Sequence, residues 1–192
     1  NKRVIYKKGS TKKFSKIFES IKNKIHTIFH FGEFSRIYPS FENKDKCFDS
    51  NILGTYNVIN FCLNNKIKII YSSTSAFLGN NAQDQNLSPY SFFKSTIVNL
   101  IMNFNEWFGL KYSILYFYNV YGPRQIHSLK MGTVIGIFEK YFKEKKPLTV
   151  AKPGSQKRTF THINDTVEAC YCAWKKNKND DYLIGNKKSW SI

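Results

Sequence analysis

The chain has 192 residues, 42% hydrophobic and 17% aromatic, which is enough apolar material for one buried core and part of a second lobe and excludes a disordered segment. No window approaches the roughly 18–20 consecutive apolar residues of a membrane span, and no apolar signal core follows the basic N-terminus, so a soluble, cytoplasmic chain with no membrane partner is expected. The formal charge is +17, yet the lysines are scattered, no nucleic-acid motif accompanies them, and the joint excess of Lys, Asn, Ile, Phe and Tyr is what A/T-rich coding produces, so no nucleic-acid partner is expected. Cys47, Cys62, Cys170 and Cys172 form no CxxC pair and have no histidines at zinc spacing, so neither a disulfide framework nor a metal is expected.

In chain order, Val4–Tyr6 reads as a short strand and Phe14–Ile21 as a helix with Phe14, Ile17, Phe18 and Ile21 on one face. Thr27–Phe31 reads as a buried strand, Asp49–Leu63 as a helix, Ile67–Tyr71 as a strand, Ser88–Trp107 as a long helix and Tyr112–Tyr118 as a strand. This alternation predicts an α/β fold, a doubly wound parallel sheet covered by helices on both faces. After Arg124 the rhythm changes: Gly132–Phe142 suits a helix, Pro147–Val150 an edge strand, Asn164–Lys175 a helix and Tyr182–Ile184 a strand. Residues 1–125 are therefore taken as one domain and 126–192 as part of a second, with some of its segments returning to pack on the first.

Two stretches carry chemistry. Tyr71-Ser72-Ser73-Thr74-Ser75 puts hydroxyls at the end of a buried strand, where open parallel sheets gather their ligands. In Ser88-Pro89-Tyr90-Ser91-Phe92-Phe93-Lys94, Ser88 suits a helix cap and Pro89 the first helical position, which places Tyr90 in the first turn and Lys94 one turn later on the same face. A free tyrosine, with a pKa near ~10, is a poor base at neutral pH, but an ammonium and the positive end of a helix both favour phenolate. Tyr90 is then able to take a proton from a hydroxyl that Thr74 holds in line. The spacing alone is not specific, since Tyr141 with Lys145 and Tyr171 with Lys175 repeat it. Read singly, Thr74 is equally a strand-end hydroxyl, Lys94 a solvated helix lysine and Arg158 a surface cation.

Six motifs in order extend this reading: His30-Phe31-Gly32-Glu33, Asn51-Ile52-Leu53-Gly54-Thr55, Ser72-Ser73-Thr74, Tyr90-x-x-x-Lys94, Asn119-Val120-Tyr121-Gly122-Pro123-Arg124-Gln125 and Arg158-Thr159-Phe160-Thr161-His162-Ile163-Asn164-Asp165. Their order and spacing resemble the extended short-chain dehydrogenase/reductases, and within them the nucleotide-sugar epimerases and dehydratases, over nearly the whole chain. The resemblance implies a Rossmann-like fold, NAD as cofactor, a nucleotide sugar as substrate and a homodimer for the full-length form. It implies that Thr74, Tyr90 and Lys94 are catalytic, that Phe31, Gly32, Asn51, Ser72, Tyr90 and Lys94 contact the cofactor, and that Asn119 and Arg158 contact the substrate's diphosphate, a job that suits a guanidinium fork. His162 and Asp165 are read as structural, and the aromatics Phe92, Phe93, Phe104, Trp107 and Phe108 as helix packing or a dimer face.

The chain also departs from the family pattern. It has no G-x-x-G-x-x-G phosphate loop, and the first βαβ unit is expected to precede Asn1, so the chain by itself is expected not to bind NAD tightly or turn over substrate. Ser10, Gly32 with Glu33, Tyr116 and Thr159 stand where the family has an acid, alanines, an arginine and an aspartate. Ser75 follows Thr74 where dehydratases and decarboxylating relatives place an acid, which favours a UDP-sugar 4-epimerase type of reaction. A dehydratase, a reductase and an inactive dinucleotide-binding module are the alternatives.

Overall fold

The computed structural model describes residues 3–78, 83–129, 131–150, 152 and 154–192. Residues 4–10 carry no regular structure. The strand expected at Val4–Tyr6 does not form, because no described strand lies beside it, and Ile5 and Tyr6 remain exposed. Ser10 caps a 3-10 turn at Thr11–Lys13 that runs into α1 (Phe14–Phe18), and a second 3-10 stretch, Glu19–Lys24, replaces the last α-turn expected there. Phe14 and Phe18 still reach the core, with the Phe14 ring 5.3 Å from that of Phe61.

After β1 (Thr27–His30) come two helices that the sequence pattern does not announce, α2 (Ile37–Glu42) and α3 (Lys44–Phe48). Pro39 signals a break, but it occupies the first turn of α2, where a missing N–H costs no helical bond. The helical path continues through a wide π-type turn, Asp49–Gly54, into α4 (Thr55–Asn64). β2 (Lys68–Thr74) follows, three residues longer at its carboxyl end than expected.

α5 (Pro89–Phe108) begins and ends as its sequence dictates. The Ser88 hydroxyl accepts the Ser91 N–H at 3.1 Å, and Pro89 stands at the first helical position. At the other end Gly109 turns left-handed at φ +72° and donates its N–H to Asn105 O at 2.9 Å. β3 (Tyr112–Phe117), β4 (Val120–Tyr121), α6 (Val134–Lys143), β5 (Lys157–Thr159), β6 (Thr161–His162), α7 (Ile163–Lys176), β7 (Asp180–Ile184) and β8 (Ser189–Ser191) complete the order. Pro147–Val150 is not a strand: Leu148 and Val150 are exposed, and no described strand pairs with the segment.

The main sheet has the order β1-β2-β3-β7, and every pairing in it is parallel. Its two faces are covered by different helices. Ile69, Tyr71, Ile114 and Tyr116 pack against Val58, Ile59 and Cys62 of α4 and Ile97, Val98 and Ile101 of α5. Ile70, Leu115 and Ile184 pack against Cys170 and Ala173 of α7 on the other side. Central strands buried on both faces read as unbroken apolar runs, which is why β2 and β3 stand out in the sequence. The architecture is a Rossmann-like, doubly wound α/β fold. β7, from the C-terminal part of the chain, completes the sheet by pairing with β3. Two small sheets, β4-β6 parallel and β5-β8 antiparallel, lie outside it.

Candidate active site

Parallel strands deliver their carboxyl ends to one edge, and there a cavity of about 200 Å³ opens. Its lining includes Phe31 just after β1, Ser72 and Thr74 at the end of β2, and Tyr90 and Lys94 from the first two turns of α5. Those are five of the nine residues singled out from the sequence. Ser73, Phe117, Glu33 and Ser35 complete it. Tyr90 is held there by its backbone, whose N–H donates to the buried Ser40 hydroxyl of α2 at 3.3 Å. Tyr90 and Lys94 share a face because they are one helical turn apart.

The other four residues lie elsewhere. Asn51 is fully buried behind the loop after β1: its side chain accepts the Phe34 N–H at 2.8 Å and donates to Phe34 O at 2.9 Å, so it shapes that loop. Asn119 has φ +29°, a conformation Asn tolerates, and its amide donates to Thr159 O at 2.9 Å. Arg158 is exposed on β5 opposite Trp190, and its guanidinium donates to Lys157 O at 3.3 Å. Neither Asn119 nor Arg158 lines the cavity, and Gly32 faces a separate groove with Ser10, Thr11 and Asp49.

The residue that sequence reasoning underrated is Glu33. Its carboxylate is 1% exposed and forms an ion pair with the Lys94 ammonium, itself 5% exposed. The Tyr71 hydroxyl donates to the same carboxylate oxygen at 3.1 Å. The other oxygen accepts from the Thr55 hydroxyl and lies 3.4 Å from His30 Nε2, which in turn sits 2.8 Å from the Thr55 oxygen. Lys94 also donates to Ser72 O and rests 4.6 Å from the centre of the Tyr71 ring. Burial opposes ionisation of Glu33, but the charge of Lys94 and then the hydrogen bond and charge of His30 outweigh it, so the carboxyl titrates below its ordinary range. The signal available in the sequence was an acid after His30-Phe31-Gly32, where the family pattern is small and apolar.

The profile of the NAD dependent epimerase/dehydratase family matches residues 3–185. The chain belongs to that family. Among curated relatives, UDP-glucuronate 4-epimerase of Thermodesulfobacterium geofontis is 27% identical over 182 residues, covering 90% of this chain and 54% of its own length. dTDP-D-glucose 4,6-dehydratase of Dictyostelium discoideum is 28% identical over 194 residues, covering 89% and 44%. Decarboxylases of UDP-linked uronic acids match as well. UDP-glucose 4-epimerase of Thermotoga maritima, solved with UDP-glucose, superposes with a TM-score of 0.88 at 23% identity over 100% of this chain and 65% of its own. The chain thus spans about half the length of the curated relatives it matches. Among the described residues no helix is long and apolar enough to cross a membrane.

NAD is the family's cofactor, and the residues here fit one end of it. The cavity, with Lys94 at its base and the Phe31 and Phe117 rings 5.6 Å apart on its wall, suits a nicotinamide riboside. The pyrophosphate finds no glycine-rich turn in this sequence.

Proposed function

We propose that this chain carries the catalytic and nicotinamide-facing part of an NAD-dependent epimerase acting on a UDP-linked sugar. The observation that supports it is the shared cavity: Thr74, Tyr90 and Lys94 arrive from two different elements at the carboxyl edge of a parallel sheet. In this reading the Tyr90 phenolate takes the proton of a sugar hydroxyl while Thr74 accepts or donates a hydrogen bond that keeps that hydroxyl in line. NAD, when bound, supplies the hydride acceptor and later the donor. Tyr90 then returns the proton after the keto-sugar has turned its other face to the cofactor. Phe31, Ser72 and Lys94 contact the nicotinamide end, with Gly32 and Asn51 shaping the approach, and Asn119 and Arg158 reach the substrate's diphosphate. Exposed Phe92, Trp107 and Phe108 on α5 suit a homodimer face in the full-length form.

Elimination of water, the dehydratase alternative, needs an acid beside the reacting carbon. Ser75 follows Thr74, and Glu33 is the one carboxylate among the described residues lining the cavity. Its oxygens already accept from Lys94, Tyr71 and Thr55, so it is poorly placed to shuttle protons to a sugar. The test is product analysis with UDP-glucose and UDP-glucuronate on the protein extended to the length of its relatives, alongside Y90F. Interconversion of C4 epimers that drops by about 10²–10⁴-fold in Y90F is expected. A 4-keto-6-deoxy product, or full activity in Y90F, would overturn the reading. The chain as it stands, without a phosphate-binding turn, is expected to show no micromolar NAD binding by calorimetry.

A further inference from the structure

A buried lysine needs compensation, and the cavity supplies Lys94 with more than dipoles. The Ser72 carbonyl and the Tyr71 ring offer partial charge, whereas Glu33 offers a full negative charge in direct contact. The Glu33 carboxylate is in turn fixed from three further sides, by Tyr71 of β2, Thr55 of α4 and His30 of β1. With its side chain 1% exposed, water screens the pair little. Two ammonium hydrogens of Lys94 point into the protein, toward Glu33 and Ser72, which leaves one for the cavity.

We infer that Glu33 is a positioning residue that neutralises Lys94 and thereby sets the pH at which Tyr90 becomes a base. A lone ammonium within about 4–6 Å lowers the pKa of a neighbouring acid by roughly 1–3 units, but an ammonium touching a carboxylate acts on a third group only as a short dipole. Tyr90 lines the same cavity as Lys94 and Glu33, and its charge raises the pKa of Tyr71, whose hydroxyl donates to Glu33. The remaining titratable groups around the pair are His30 beside Glu33, Cys47, whose thiol burial and then Glu33 push up to about 11, and Arg36. Arg36 donates to Met131 O through Nε at 2.8 Å and through Nη2, and interacts with the Tyr90 charge from the α2 side. Its guanidinium stays constant across the variants below. The inference rests on the reading of Tyr90 as the base only for its catalytic meaning, since the titration of Tyr90 is measured without cofactor or substrate.

The experiment is a charge cycle on the chain itself. Tyrosinate absorbance is followed with pH for wild type, Glu33→Gln, Lys94→Gln and Glu33→Gln/Lys94→Gln, each minus the same protein carrying Tyr90→Phe. In Glu33→Gln the phenolate inherits the ammonium as its partner, and the Tyr90 midpoint should fall by about one unit or more. In Lys94→Gln a buried carboxylate remains, and the midpoint should rise. The double variant removes both charges, which folded proteins tolerate better than removal of one, and its midpoint should return to within about half a unit of wild type. If either single variant fails to fold, wild type and the double variant still decide. A double-variant midpoint well above wild type would mean that Lys94 acts on Tyr90 undiminished by Glu33, and would overturn the inference. So would a midpoint in Glu33→Gln equal to or above that of wild type. Loss of turnover in Tyr90→Phe bears on the proposed function alone, so the two readings fail separately.

Discussion

Replacing Lys94 by Met removes one partner of a buried pair and leaves the Glu33 carboxylate, 1% exposed, without its cation. Breaking such a pair from one side costs about 3–5 kcal/mol. Tyr71 and Thr55 still donate to Glu33, and His30 remains 3.4 Å away, so the lower end of that range is expected near neutral pH. The loss should depend on pH in a definite sense. In the wild type the Glu33 pKa is lowered, so its contribution to stability is present above the unfolded carboxyl value of about 4.3 and is lost as pH falls through the folded value. In Lys94→Met burial is no longer opposed by the ammonium, and the folded pKa rises above the unfolded one. The penalty is then absent below about pH 4 and grows as pH rises toward the new folded value. Urea unfolding of both proteins by circular dichroism, at several pH values between about 4 and 8, should show curves that converge in acid and separate toward neutrality. A difference that is constant with pH, or below about 1 kcal/mol at neutrality, would refute the claim that Glu33 and Lys94 are a mutually dependent buried pair.

Ile114, fully buried in the centre of β3, should lose about 2–5 kcal/mol on replacement by Ala, read as a lower urea midpoint with an unchanged slope. Ser88→Ala removes the oxygen that accepts the Ser91 N–H and should cost about 1 kcal/mol, seen as a lower melting temperature. Gly109 has open space around it, so Gly109→Ala should cost about 1–2 kcal/mol through its φ of +72° alone. Gly109→Asn, which accepts that conformation more readily, should cost less, and equal losses would point to some cause other than backbone strain.

The parts of the fold that were legible are those whose signal is local. β2 and β3 are apolar runs because they are covered on both faces, and α5 carries its own start in Ser88-Pro89 and its stop in Gly109. Val4–Tyr6 and Pro147–Val150 have strand-like composition, but a strand exists only where another lies beside it, and among the described residues none does. The helices α2 and α3 escaped notice because Pro39 sits where it looks like a break and is in fact harmless. The cavity followed the same division. Ser72, Thr74, Tyr90 and Lys94 were placed by a strand end and one helical turn, Phe31 by the family resemblance, and the structure brings them together. Arg158 and Asn119 depend on how the segments after β3 fold back, and they lie outside the cavity.

Glu33 was beyond local reasoning for a different reason. Its partners His30, Thr55, Tyr71 and Lys94 come from β1, α4, β2 and α5, so no spacing in the chain brings them to one point. Once there, they tie stability to chemistry. The contact that compensates the buried Lys94 also anchors the second turn of α5 to the loop after β1 and the carboxyl end of β2, and Tyr90 is one turn away on that same helix. Removing the Glu33 charge frees the field of Lys94 for Tyr90 but leaves a buried cation uncompensated. Any change that populates more Tyr90 phenolate at neutral pH by this route should therefore make the chain less stable, and removal of both charges, which spares stability, gives up that gain.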